Sequence, residues 1–72
     1  MQRIATVQQT PSGWTATQYH HNDTLHWPVR ERIALCDSRA QAHAVAAGWA
    51  EDQGLSVLSE AQFADWLMAE VS

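Results

Sequence analysis

Ile4-Ala5-Thr6-Val7-Gln8-Gln9-Thr10-Pro11-Ser12-Gly13-Trp14-Thr15-Ala16-Thr17-Gln18-Tyr19-His20 decides the fold. Two runs rich in Thr, Val, Trp and Tyr flank Thr10-Pro11-Ser12-Gly13, which has Pro at the second turn position and Gly at the fourth. Proline presets the backbone at the first corner, and branched and aromatic residues suit a half-buried pleated surface, so the segment predicts a β-hairpin. A second turn signal, Asn22-Asp23, precedes Thr24-Leu25-His26-Trp27, Pro28 and the run from Val29 to Cys36. Pro28 has no amide hydrogen for a ladder, so the expectation is a three-stranded antiparallel meander with a kink or bulge near Pro28.

Side chains alternate across a strand, so the turns fix which residues share a face. Pairing about the two turns collects Ala5, Val7, Trp14, Ala16, Leu25 and Trp27 on one side, and the alternation carries on into Val29, Ile33 and Leu35. Gln18, His20 and Glu31 are the polar exceptions on that face. The other face reads Thr6, Gln8, Thr15, Thr17, Tyr19, His21, His26, Arg30 and Arg32, with Ile4, Ala34 and Cys36 among them, and is expected to be largely solvated.

Two helices follow. Ser38-Arg39-Ala40-Gln41 fits the S-x-x-Q capping box, in which the Ser and Gln side chains satisfy backbone amides that the first turn leaves open. Gly54 is the matching left-handed stop. Between them Ala42, Val45, Ala46 and Trp49 recur at helical spacing and predict the stripe that lies on the sheet. Leu55-Ser56-Val57-Leu58 is too short to decide between a fourth strand and a linker. Ser59-Glu60-Ala61-Gln62 repeats the box and opens a last helix with Phe63, Ala64, Leu67 and Val71 as its apolar stripe and Trp66 at the edge. The predicted architecture is therefore α+β: a three-stranded antiparallel β-meander with two α-helices packed on one face, in the order β-β-β-α-(β)-α, over a single domain spanning residues 1–72.

Composition narrows the function. With 46% hydrophobic residues, the 72-residue chain has the apolar content of a folded domain and little room for separate chemistry. No apolar run approaches the roughly 20 residues that span a bilayer, and Met1 to Thr6 lacks the apolar region of a signal peptide, so the expected location is cytoplasmic, away from membranes. The lone Cys36 excludes an internal disulfide and a C-x-x-C centre. All four cations (Arg3, Arg30, Arg32 and Arg39) precede residue 40, beyond which every charge is acidic, for a net charge of −4. A phosphate-binding surface needs the opposite balance, so nucleic acid is disfavoured as a partner.

Candidate chemistry is sparse. His20-His21-Asn22-Asp23-Thr24-Leu25-His26 holds enough donors for a metal, yet adjacent His20 and His21 point to opposite faces of a strand. Only His21 and His26, with Tyr19 and Asp23 at the turn, would converge on one side, so no metal site and no other cofactor is expected. Cys36 lies near a helix start that would favour a thiolate, but Asp37 opposes ionisation and no base is in register, so no catalytic residue is assigned. The face carrying Tyr19, His21, His26, Arg30 and Arg32, together with Trp66, is the candidate interaction surface.

The meander, the capped Ala-rich helix and the acidic second helix together resemble short bacterial proteins in architecture alone, and no functional residue follows from that likeness. Binding needs only a surface, whereas catalysis needs convergent groups. The expectation is a non-enzymatic protein-interaction or regulatory module, with another protein or a second copy as partner. The alternatives are an acidic inhibitor or nucleic-acid mimic from a mobile element, and a weak metal binder or enzyme using the His20 to His26 segment.

Overall fold

The turn at Pro11 and Ser12 sets the register of a mixed sheet. In this computed structural model, which describes residues 3–22, 24 and 27–71, β1 (Arg3–Thr10) pairs antiparallel with β2 (Gly13–Asn22). The pairing runs from Thr10 opposite Gly13 to Arg3 opposite His20. Gly13 has φ 141°, and a Cβ there would come within 3.0 Å of the Cys36 carbonyl oxygen, so both conformation and space demand glycine. Next come β3 (Trp27–Cys36), α1 (Arg39–Gln53), β4 (Ser56–Leu58) and α2 (Glu60–Val71). The sheet order is β3-β2-β1-β4, with β3 antiparallel to β2 and β4 parallel to β1.

The stretch whose state the sequence left open thus becomes a fourth strand, and the sheet is mixed rather than a purely antiparallel meander. The return from β3 to β4 passes through α1, because two parallel strands at opposite edges require a crossover. Both predicted caps form. Gln41 N donates to Ser38 Oγ at 3.1 Å, and Gln62 N donates to Ser59 Oγ at 3.2 Å. In the second box Ser59 N returns to Gln62 Oε1 at 2.9 Å, whereas in the first the return bond comes from Asp37 N. Gly54 ends α1 in the left-handed conformation, with its N–H donating to the Ala50 carbonyl.

The helices lie on opposite faces, which corrects the expectation that both cover one. α1 places Ala42, Val45, Ala46 and Trp49 on Ala5, Val7, Trp14, Ala16, Ala34, Cys36 and Val57. α2 places Phe63, Trp66 and Leu67 on Ile4, Tyr19 and Leu58. Ile4 and Ala5 are adjacent on β1, as are Val57 and Leu58 on β4, so each pair divides between the two clusters and the sheet is the middle of three layers. The face expected to be solvated is accordingly covered in part: Thr6, Thr15 and Thr17 are buried on it.

A β-bulge makes the second correction. Arg32 pairs with Gln18 and Arg30 with Tyr19, so Glu31 is an extra residue on β3 without a counterpart on β2. The irregularity falls three residues beyond Pro28, where the sequence suggested it. One inserted residue inverts the facing of everything that follows. Val29, opposite His20, keeps its expected side, while Ala34 and Cys36 turn inward to α1 and Ile33 and Leu35 turn outward. Leu25 lies outside the described residues, as does the side chain of Trp27.

Candidate functional site

The outward turn of Ile33 and Leu35 creates an exposed apolar surface on the sheet. Ile33 is 49% exposed and Leu35 81%, on the face that α2 shares. They sit on β3, an outer strand whose free side carries unpaired backbone groups over part of its length. The opposite edge is β4, only three residues long.

The edge is protected over half of its length. Pro28 offers no amide donor, Glu31 bulges the strand, and Arg30, Glu31 and Arg32 place charge along it. These are the devices by which sheets resist edge-to-edge pairing. Ile33-Ala34-Leu35-Cys36 has none of them.

The bulge is tied down from within. Glu31 Oε1 lies 3.3 Å from Arg3 Nε and 3.1 Å from His20 Nδ1, the second an ion-pair distance without hydrogen-bond alignment. Arg3 and His20 are register partners on β1 and β2, so three strands meet at one carboxylate. The polar exceptions of the expected core face are thereby accounted for. His20 and Glu31 join this cluster, and the fully buried Gln18 donates through Nε2 to Gln53 Oε1 at 3.0 Å, linking β2 to the end of α1.

The described residues of the expected interaction surface, Tyr19, His21, Arg30, Arg32 and Trp66, do not form one patch. Tyr19 is half-buried with its ring centroid 5.0 Å from that of Phe63, and Trp66, only 8% exposed, stacks on Phe63 at 6.1 Å. Both belong to the core beneath α2. Arg30 is exposed opposite Tyr19, whereas Arg32 lies on the other side of the sheet with its guanidinium carbon 5.2 Å from the Trp49 ring centroid, a cation–π contact. His21 is half-buried opposite Pro28, and His26 lies outside the described residues.

Among the described residues no three of His, Cys, Asp and Glu are grouped to hold a metal ion. The Cys36 thiol is buried and points to the Ala34 carbonyl oxygen at 3.9 Å. An open groove of about 800 Å³ lies where α1 and α2 begin, lined by Trp14, Arg39, His43, Val57 and Glu60 among others. Its charged side chains are exposed and mixed in sign, so it presents no preorganised charge to a ligand.

Sequence reasoning placed Ile33 and Leu35 in the core and so missed them. The available signal was Arg30-Glu31-Arg32, three successive charges that no regular strand can place on one solvated face. Comparison of the chain with protein-family models, with curated proteins and with solved structures gave no match.

Proposed function

We propose that the chain is a small non-enzymatic protein-interaction module whose working surface is the Ile33 to Cys36 half of the β3 edge. The observation that carries this reading is the exposure of Ile33 and Leu35 beside an edge that is smooth there and guarded elsewhere. An added strand would draw its affinity from main-chain hydrogen bonds and its specificity from the alternate side chains. Arg30 and Arg32 give the guarded half a local positive surplus within a chain of net charge −4, which favours a segment carrying negative charge at that end.

A capped peptide of alternating Val and Thr, with a Glu at each end for solubility and to meet Arg30, tests whether the edge accepts a strand. Titration should shift the amide resonances of Ile33 to Cys36 and leave those of β4 and α1 unmoved. Shifts spread evenly over the molecule, or none at millimolar peptide, contradict the reading.

A further inference from the structure

We infer that the occupant of this edge is a second copy of the chain, paired antiparallel through Ile33 to Cys36 about a two-fold axis at Ala34, an inference that rests on the edge reading above. The register follows from what each alternative would bring together. Two copies related by a two-fold axis normal to the sheet keep their faces in common, so residues pair with others of the same facing. With Ala34 on the axis, Ile33 stands opposite the partner's Leu35 and Leu35 opposite the partner's Ile33. Four exposed apolar side chains then form one contiguous cluster on the α2 side. Moving the axis to Ile33 sets Leu35 against the partner's Arg30, since the bulged Glu31 is passed over, and moving it to Leu35 sets Ile33 against the partner's Asp37. A one-residue slip places the apolar pairs of the two copies on opposite sides of the joint sheet.

Charge agrees with the same register. Because Glu31 is the extra residue of the bulge, the step beyond Arg32 and the partner's Cys36 brings Arg30 opposite the partner's Asp37, a cation against an anion. Glu31 is turned to its own chain, where its carboxylate holds Arg3 at 3.3 Å. Attraction between Asp37 and the partner's Arg30 therefore acts at both ends of the seam. The guarded half limits the ladder to a few residues, so the contact falls short of the roughly 1,200 Å² at which stable interfaces begin. The dimer is accordingly weak and reversible, and the fused sheet has eight strands, four from each copy.

Sedimentation equilibrium of the full chain from about 10 μM to 1 mM reads the association, on a scale where each factor of ten in dissociation constant is about 1.4 kcal/mol. The weight-average mass should rise from one chain towards two, and Leu35→Lys should raise the dissociation constant at least tenfold while leaving the unfolding transition in place. Register is read in a Cys36→Ala background: Ala34→Cys should cross-link to itself under mild oxidant, because directly opposed residues lie within disulfide reach, and Leu35→Cys should not. A monomer at every concentration whose β3 amides still shift with the Val-Thr peptide overturns the second copy and leaves the edge reading standing. A monomer that ignores the peptide overturns both. A dimer indifferent to Leu35→Lys, or one that cross-links through Leu35→Cys instead, overturns the proposed seam.

Discussion

Arg3 on β1 reaches across the intervening β2 to Glu31 on β3, with Nε 3.3 Å from Oε1. That contact holds the one residue whose insertion reverses the facing of Ile33, Ala34, Leu35 and Cys36. Pairing on either side of Glu31 is already regular, since Arg30 and Arg32 oppose the neighbours Tyr19 and Gln18.

Deleting Glu31 should therefore close the ladder without moving any side chain to the other face. The lost ion pair is partly exposed and worth roughly 0–1 kcal/mol, so the melting temperature should fall by no more than about 8 °C. Circular dichroism on heating checks this, and an unfolded chain would contradict the assigned bulge. Because the deletion also flattens the guarded half of the edge, self-association should tighten.

The two glycines Gly13 and Gly48 should respond oppositely to alanine. Gly13→Ala puts a Cβ 3.0 Å from the Cys36 carbonyl at φ 141° and should cost more than about 1 kcal/mol. Gly48 lies within α1 with open space around it, and Gly48→Ala should stabilise by up to about 1 kcal/mol. Urea unfolding of both variants provides the comparison.

Gln18 is buried, and its Oε1 lacks a hydrogen-bond partner among the described residues. Gln18→Leu keeps the volume and removes that orphaned oxygen together with the bond to Gln53 Oε1, so the two changes offset and stability should move by no more than about 1 kcal/mol. Gln18→Ala opens a cavity beneath α1 and should destabilise by roughly 2 kcal/mol or more. The order of the two denaturation midpoints is the result to examine: Leu above Ala.

Close approach of α1 to the sheet depends on small residues. Ala5, Ala16, Ala42 and Ala46 are all completely buried in one cluster. Ala46→Leu should overpack that contact and cost about 1–3 kcal/mol, measurable as a lowered unfolding midpoint. The exposed Ala47 should accept Leu with little change.

Much of the fold was legible where a local rule acts locally. The Thr10 to Gly13 turn, the two Ser caps and the Gly54 stop need only neighbouring residues, and each forms as the sequence predicts. The side on which α2 packs depends on β4, whose three residues gain their strand character by pairing with Ile4, Ala5 and Thr6 far away in sequence. The candidate site was hidden for a related reason. Simple alternation carried Ile33 and Leu35 inward, and only a strand-to-strand mismatch at Glu31 turns them out. Trp66 was read as sitting at the edge of its helix stripe, yet its ring is enclosed between α2 and the sheet because the helix crosses the face carrying Ile4 and Tyr19.

Thiol accessibility tests that inversion most directly. Native Cys36 and a Leu35→Cys, Cys36→Ala variant are labelled with an aromatic disulfide reagent at low micromolar protein, where the weak dimer is dissociated. The thiol at position 35, where the native side chain is 81% exposed, should react at close to the rate of a free peptide, while buried Cys36 should react at least tenfold more slowly. A protected thiol at 35 and a fast-reacting Cys36 would contradict the inversion.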